Sequence, residues 1–365
     1  MEKAKVNGIQ LFAMMFMFNL GTSVVVNYAV GAKKDAWLAI LIGMSAGFVA
    51  FFIYYRLFCH YPNLPITGYA REILGKYVGW IIGLLYVLYF IHITTRQVRD
   101  FSELLVASTM TETPLLAIQL SFVLVICYVL YQGVEVLART AEVFFVILIF
   151  LGAAGNFFVL VSGNFEFHNL RPFLENGWKP ILSTAFREVT HWPFGEMVVF
   201  TMLLPYLNKS GTVKKVWVSA LLLSGLALSW TASLNIAILG VDVMERTTFP
   251  TLATIGKVNL LEFIQRLDVI VVFTMLITVF FKASIFMYGA VIGIVDLFKL
   301  KNHQQILFPF GGIMIFSAMT IATNFSSYLN EGFRGLNRVV YPMFLYLPIL
   351  MLIVSMIRKR MKKTN

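Results

Sequence analysis

The chain has 365 residues, 59% of them hydrophobic and only 13% charged, with a mean hydropathy of +0.80 and a formal net charge of +11. So apolar a composition excludes an ordinary soluble domain, and long apolar runs favour spanning helices over a membrane β-barrel. The sequence reads as one transmembrane domain over residues 1–365, because no long polar linker interrupts the spans.

Taken in order, span 1 runs from about Ile9 to Val30 and contains Phe18-Asn19-Leu20-Gly21-Thr22-Ser23. It is long enough to cross and has no A-x-A site, so it reads as a retained span and not as a cleavable signal. Span 2 is Trp37 to Phe58, with Gly43 and Gly47 at a spacing that lets helices approach closely. A proline-broken polar connection follows from Tyr61 to Gly75, where Thr67 is positioned to cap a short helix. Span 3, Tyr77 to Ser108, reaches roughly 48 Å at 1.5 Å per residue, longer than a bilayer core. Its later turns carry Arg96/Asp100 and Arg99/Glu103 at i,i+4 spacing. Span 4 is Pro114 to Tyr131 and span 5 is Arg139 to Val161, joined by a charged connection, Gly133 to Glu142.

The segment Ser162 to Ile181 reads as an outer loop with short helices. Span 6, Ser183 to Leu207, is interrupted by Thr190-His191-Trp192-Pro193-Phe194-Gly195-Glu196. Pro193 lacks a backbone N–H and clashes with the preceding turn, and Gly195 adds backbone freedom. Span 7 is Lys214 to Leu239, and the loop Val241 to Leu260 is expected to pack over the outer face. Span 8 is again long, Arg266 to Phe298; span 9 is Gln304 to Thr323 and span 10 is Val339 to Ile357.

The charges fall asymmetrically along this frame. With the amino terminus inside, Lys3, Lys5, Arg56, Arg71, Lys76, Arg139, Lys209, Lys214, Lys215, Lys299, Lys301 and the tail Arg358 to Lys363 lie on the inner side, against few acids such as Glu2. That is the positive-inside signature with both termini cytoplasmic, and it argues against a nucleic-acid partner. The tail either sits on anionic headgroups or serves to solubilise. Cys59 and Cys127 are far apart and form no metal or redox motif.

Ten spans divide into two halves of five, residues about 9–161 and 183–357, each with an interrupted first span and an overlong third. An odd number of spans per half inverts one half relative to the other, and matching interruptions point to a binding site at mid-membrane. The expected fold is therefore all-α, with about ten transmembrane helices in a five-plus-five inverted repeat and broken helices 1 and 6.

A broken helix frees N–H groups at one new end and carbonyls at the other, and these bind anions and cations respectively. The expected ligand set is Asn19, Gly21, Thr22 and Ser23 from span 1, Tyr89 and His92 from span 3, and Thr190, Trp192, Pro193, Phe194, Gly195 and Glu196 from span 6. Two facing breaks suit a small zwitterion. Gly21 alone is equally explained by helix packing. Glu196 at membrane depth is neutral, paired or a proton site, or else bonds backbone freed by Pro193; His191 is a neighbour at i,i+5. Lys282, near Ser284 in span 8, is the second deep charge: it stands in for a cation, moves a proton, or partners a carboxylate or open carbonyls. There is no GxSxG, no P-loop and no metal-ligand spacing, so neither an enzyme nor a cofactor is expected.

Tyr69-Ala-Arg-Glu-Ile-Leu-Gly-Lys-Tyr-Val-Gly79, Gly133-Val-Glu-Val-Leu-Ala-Arg-Thr-Ala-Glu142 and Arg171-Pro-Phe-Leu-Glu-Asn-Gly-Trp-Lys-Pro180 together resemble the B subunits of spore-germination nutrient receptors. Pro193-Phe-Gly-Glu196, Leu203-Leu-Pro-Tyr206, Arg266-Leu-Asp268 and Phe281-Lys282 fit the same pattern. The resemblance implies an amino-acid-permease-like (LeuT/APC) fold, a small nutrient such as an amino acid as ligand, and partner A and C subunits in the spore inner membrane. A proton-coupled amino-acid transporter is the alternative.

Overall fold

The computed structural model describes residues 5–258, 267–321 and 340–364. Its helices are α1 (Gly8–Leu20), α2 (Ala36–His60), α3 (Ile66–Leu74), α4 (Lys76–Ser108), α5 (Leu115–Tyr131), α6 (Val134–Val161), α7 (Trp178–Thr184), α8 (Val213–Leu239), α9 (Val241–Arg246), α10 (Pro250–Gly256), α11 (Asp268–Phe298), α12 (Gln304–Thr320) and α13 (Leu347–Thr364). Most are apolar around their whole circumference, as expected where one side meets lipid and the other the core.

Among the described residues, six helical stretches are long and apolar enough to cross a membrane: those built on α2, α4, α6, α8, α11 and α13. Three shorter apolar helices, α1, α5 and α12, join them. With the irregular stretch Ala185–Tyr206 these correspond one for one with the ten expected spans. The overlong helices α4 and α11, of 33 and 31 residues, pack along each other, and α1 lies against α6, α8 and α11.

α1 starts at a capping box: Asn7 Oδ1 accepts the Gln10 N–H at 2.8 Å and Gln10 Oε1 accepts the Asn7 N–H at 2.9 Å. It stops at Gly21, and the chain continues in turns to the short helical segment Val30–Asp35, so span 1 is interrupted at Gly21 as expected. The Gly133–Glu142 segment departs from expectation. It forms the opening turns of α6, with Glu135 and Arg139 paired at 2.6 Å on its surface. Thr67 does not cap α3, because Pro65 holds that position. The Thr67 hydroxyl instead donates to Asp296 at the end of α11 at 2.5 Å, beside the Arg71–Asp296 ion pair at 2.5 Å. Arg99 and Glu103 pair as their spacing predicts, at 2.6 Å.

Glu2 and Lys3, the loop end Leu260, the span 8 start Arg266, the span 9 end Thr323 and the span 10 start Val339 lie outside the described residues.

Candidate functional site

The stretch after α7 begins with π-wound turns, Ala185–Phe194, and continues as tight 3₁₀ turns, Gly195–Met202. Thr190 Oγ1 donates to the Ala185 carbonyl at 2.8 Å, a five-residue step that belongs to the wider winding. At Trp192 the backbone is extended, with φ −122° and ψ 117°, so the helix is broken immediately before Pro193. Gly195 itself is ordinary right-handed helix, with φ −71° and ψ −31°. Its value is closeness and not the conformational freedom expected from sequence: a Cβ there would meet the Phe344 ring at 2.8 Å and the Thr190 carbonyl at 3.0 Å. α2 approaches the same stretch through Gly43 and Gly47, which lie against Val189 and Phe194.

The first break is sharper. Gly21 has φ +38° and ψ −132°, a backbone that side-chain-bearing residues rarely adopt. A Cβ on Gly21 would stand 2.6 Å from Lys282 Cδ. Loose helix packing therefore does not account for this glycine: it admits the lysine.

Three ties hold the two breaks together at different heights. At the level where α1 begins, Val6 N–H donates to the Tyr206 carbonyl at 2.9 Å and Asn208 N–H donates to the Val6 carbonyl at 3.0 Å. In the middle, Lys282 Nζ lies 2.6 Å from Glu196 Oε2, with the lysine 0% and the glutamate 5% exposed. Beyond it, the Tyr28 hydroxyl donates to the Trp192 carbonyl at 2.9 Å and the Ala29 N–H donates to Glu188 Oε1 at 3.0 Å. The carbonyl freed before Pro193 is thus satisfied by a side chain from the other break.

The setting explains how Lys282 remains buried. It sits where α1 terminates, and a helix C-terminus carries partial negative charge. The ammonium lies 5.3 Å from the Phe18 ring centre, a cation–π contact, and Glu196 supplies the full counter-charge. Thr278, one turn earlier on α11, donates its hydroxyl to the Gly21 carbonyl at 2.8 Å. Among the expected roles for Lys282, the carboxylate partner is the one these contacts display.

The remaining expected residues divide. Asn19 is buried and its Nδ2 donates to Ser224 of α8 at 2.9 Å. Thr22 and Ser23 are buried, and neither hydroxyl has a hydrogen-bond partner. Tyr89 is buried with its hydroxyl unpartnered and lies within electrostatic reach of Glu196. Pro193, Phe194 and Gly195 are buried, Trp192 and His92 half-buried. Phe194 packs toward α2, and the aromatic surface at the ion pair is Phe18, which contacts Phe200 and Phe286, each at 5.1 Å. His191 does not pair with Glu196; its ring lies 6.1 Å from Tyr341. Ser284 is buried two residues beyond Lys282, which turns it roughly 200° around α11 from the ion pair. Tyr28, Glu188, Thr278 and Val6 were missed, because each acts through a partner distant in sequence. Only the membrane-depth carboxylate of Glu188 carried a signal that sequence reasoning could have used.

This arrangement carries opposed charges, unpartnered hydroxyls and a closed interior, but no nucleophile–base pair. No group of three or more His, Cys, Asp or Glu able to hold a metal occurs among the described residues.

Residues 5–326 match the family model described as "Spore germination protein". The chain is 39% identical over 367 residues to spore germination protein KB of Bacillus subtilis (strain 168), covering 100% of this chain and 98% of that protein. It is 27% identical to spore germination protein YndE of the same organism, covering 91% and 90%. Among solved structures it resembles MHP1, a nucleobase-cation-symport-1 family transporter in a closed conformation with bromovinylhydantoin bound, with TM-score 0.74 at 13% identity over 96% of this chain and 78% of that one. MhsT in complex with L-phenylalanine gives TM-score 0.71 at 12% identity, covering 97% and 89%. At such identities the likeness shows the fold alone, that of LeuT-type transporters.

Proposed function

The chain belongs to the spore germination protein family, and from that premise we propose that it is the nutrient-binding B-type subunit of a germinant receptor. In this reading it binds a small polar nutrient, such as an amino acid, where the two breaks meet at mid-membrane. It acts with A and C subunits in the spore inner membrane, with both termini cytoplasmic. The two halves, about 9–161 and 183–357, form the inverted repeat that positions the site.

The observation that carries this reading is the Lys282–Glu196 pair seated against Gly21. It joins both breaks at one point and leaves Thr22, Ser23 and Tyr89 as buried hydroxyls without partners. In this reading a ligand that supplies those partners loosens the ties across the breaks, and so favours a second arrangement of the bundle. A receptor needs such a shift in equilibrium and nothing more. Lys282 gives the site a covalently held cation, consistent with sensing that needs no co-bound metal ion. The test is binding across a panel of nutrients by the assembled receptor complex, alongside germination of spores lacking the chain. Unchanged germination toward every nutrient, in a strain without redundant receptors, overturns the proposal.

The transporter alternative draws on the fold and on the buried Glu196 carboxylate. Uptake of a labelled amino acid into proteoliposomes, driven by a pH gradient and catalysed by this chain alone, would establish it.

A further inference from the structure

We infer that this protein holds a phospholipid acyl chain in a slot behind its first break, at a site separate from the ion pair. A cavity of about 370 Å³ lies between α6, α8, α10 and α11 and reaches Leu20 and Val24 at the break. Its rim is open: Ile149 is 48% and Trp230 50% exposed. Its floor is deep: Val271 is 2% and Leu20 5% exposed. Gly152 makes the mouth, where a Cβ would meet nothing within 4 Å.

The chemistry of the walls selects the occupant. No Asp, Glu, Lys, Arg or His lines the slot. Its polar side chains are largely engaged with one another. Trp230 Nε1 donates to Asn156 Oδ1 at 2.6 Å, bridging α8 to α6, and Asn156 Nδ2 donates to the Gly152 carbonyl at 2.7 Å. Asn235 Nδ2 donates to Thr251 Oγ1 at 3.0 Å, the Thr251 hydroxyl donates to the Val24 carbonyl at 2.7 Å, and Thr254 Oγ1 donates to Asn235 Oδ1 at 2.9 Å. What remains to meet a guest is chiefly hydrocarbon.

A partner helix is about 10 Å across and cannot follow a slot from an open rim to a buried floor. A single hydrocarbon chain can, and at spanning depth acyl chains are the solvent. A free fatty acid would bring a carboxylate that no cationic side chain in the slot meets. The chain of an intact phospholipid leaves its headgroup at the membrane surface. Because Thr251 bonds the Val24 carbonyl, the slot wall is part of the break itself, and its filling couples the break to bilayer composition.

The experiment uses the full chain in nanodiscs made with a phospholipid bearing a photoactivatable diazirine near the end of one acyl chain. Adducts are mapped by mass spectrometry. The expected result is labelling of Leu20, Val24 and Val271, with a roughly tenfold loss in Gly152→Phe, which plugs the mouth, and none in Gly152→Ala. Adducts confined to rim residues such as Ile149 and Trp230, as for ordinary surrounding lipid, overturn the inference. So does deep labelling by a diazirine fatty acid that excess phospholipid fails to displace, or cross-linking of two copies through this face. Should Gly152→Phe fail to insert, the wild-type map alone still decides between floor and rim.

Discussion

Lys282 Nζ and Glu196 Oε2 stand 2.6 Å apart in the interior, and the aliphatic part of the same lysine rests where any side chain on Gly21 would lie. One residue of α11 thus touches both interrupted spans. Buried pairs of this kind are weak evidence for stability, since desolvation offsets much of the attraction, but removing one partner strands the other charge.

Glu196→Gln or Lys282→Met alone should each destabilise the protein by about 3–5 kcal/mol. The double variant should recover at least half of that loss, since no unpaired charge remains. Thermal unfolding in detergent, read as a double-mutant cycle, measures the coupling. Strictly additive losses would show that the two groups do not depend on each other.

Gly21→Ala meets two obstacles, a positive φ and the Lys282 stem. It should cost about 1–3 kcal/mol and abolish nutrient binding. Gly240, also at positive φ (+75°) but with nothing within 4 Å of a Cβ, is the matched control. Gly240→Ala should carry the backbone strain and leave binding intact. Equal effects on binding from both substitutions would remove the role assigned to the close approach.

Tyr28→Phe deletes the hydroxyl that satisfies the Trp192 carbonyl. The expected cost is about 1–3 kcal/mol of the closed arrangement. If the nutrient acts by loosening this tie, the half-maximal nutrient concentration for germination should fall, by roughly tenfold for 1.4 kcal/mol. A dose–response curve on spores carrying the variant measures it. A raised threshold would mean that the tie supports the liganded state.

Two ion pairs away from the site should differ sharply. Arg139–Glu135 is an exposed i,i+4 pair, and Arg139→Ala should change stability by no more than about 0.5 kcal/mol. Arg71–Asp296 is less exposed and shares its carboxylate with Thr67, joining α3 to α11. Arg71→Ala should cost about 1–3 kcal/mol. Thermal unfolding of both variants at low and high salt checks this, with salt expected to weaken mainly the exposed pair.

Much of this protein is written locally. The apolar runs placed the spans, because the cost of exposing polar backbone to lipid leaves few alternatives to a helix. Pro193 marked the second break by removing a donor at a known position. Gly21 marked the first less securely, because a glycine in a helix can equally serve packing. The residual misreadings were also local. Thr67 looked like a cap but donates its hydroxyl to Asp296 on α11. Gly195 reads as a source of backbone freedom but is a point of contact for Phe344. A residue's type states what it can do, and its neighbours across the bundle determine which of those things it does.

The amino-acid order by itself determined that this is a helical membrane protein with two interrupted spans, two deep charges and the family's motifs. Those features follow from hydropathy, backbone chemistry and short-range pattern. Only the tertiary structure decided that Lys282 serves both interruptions, that Tyr28 and Ala29 tie the first to Trp192 and Glu188 of the second, and that Val6 pairs with the chain around Leu207. Such pairings join positions far apart along the chain. They arise where packing brings two unsatisfied groups together, and no spacing rule encodes that meeting.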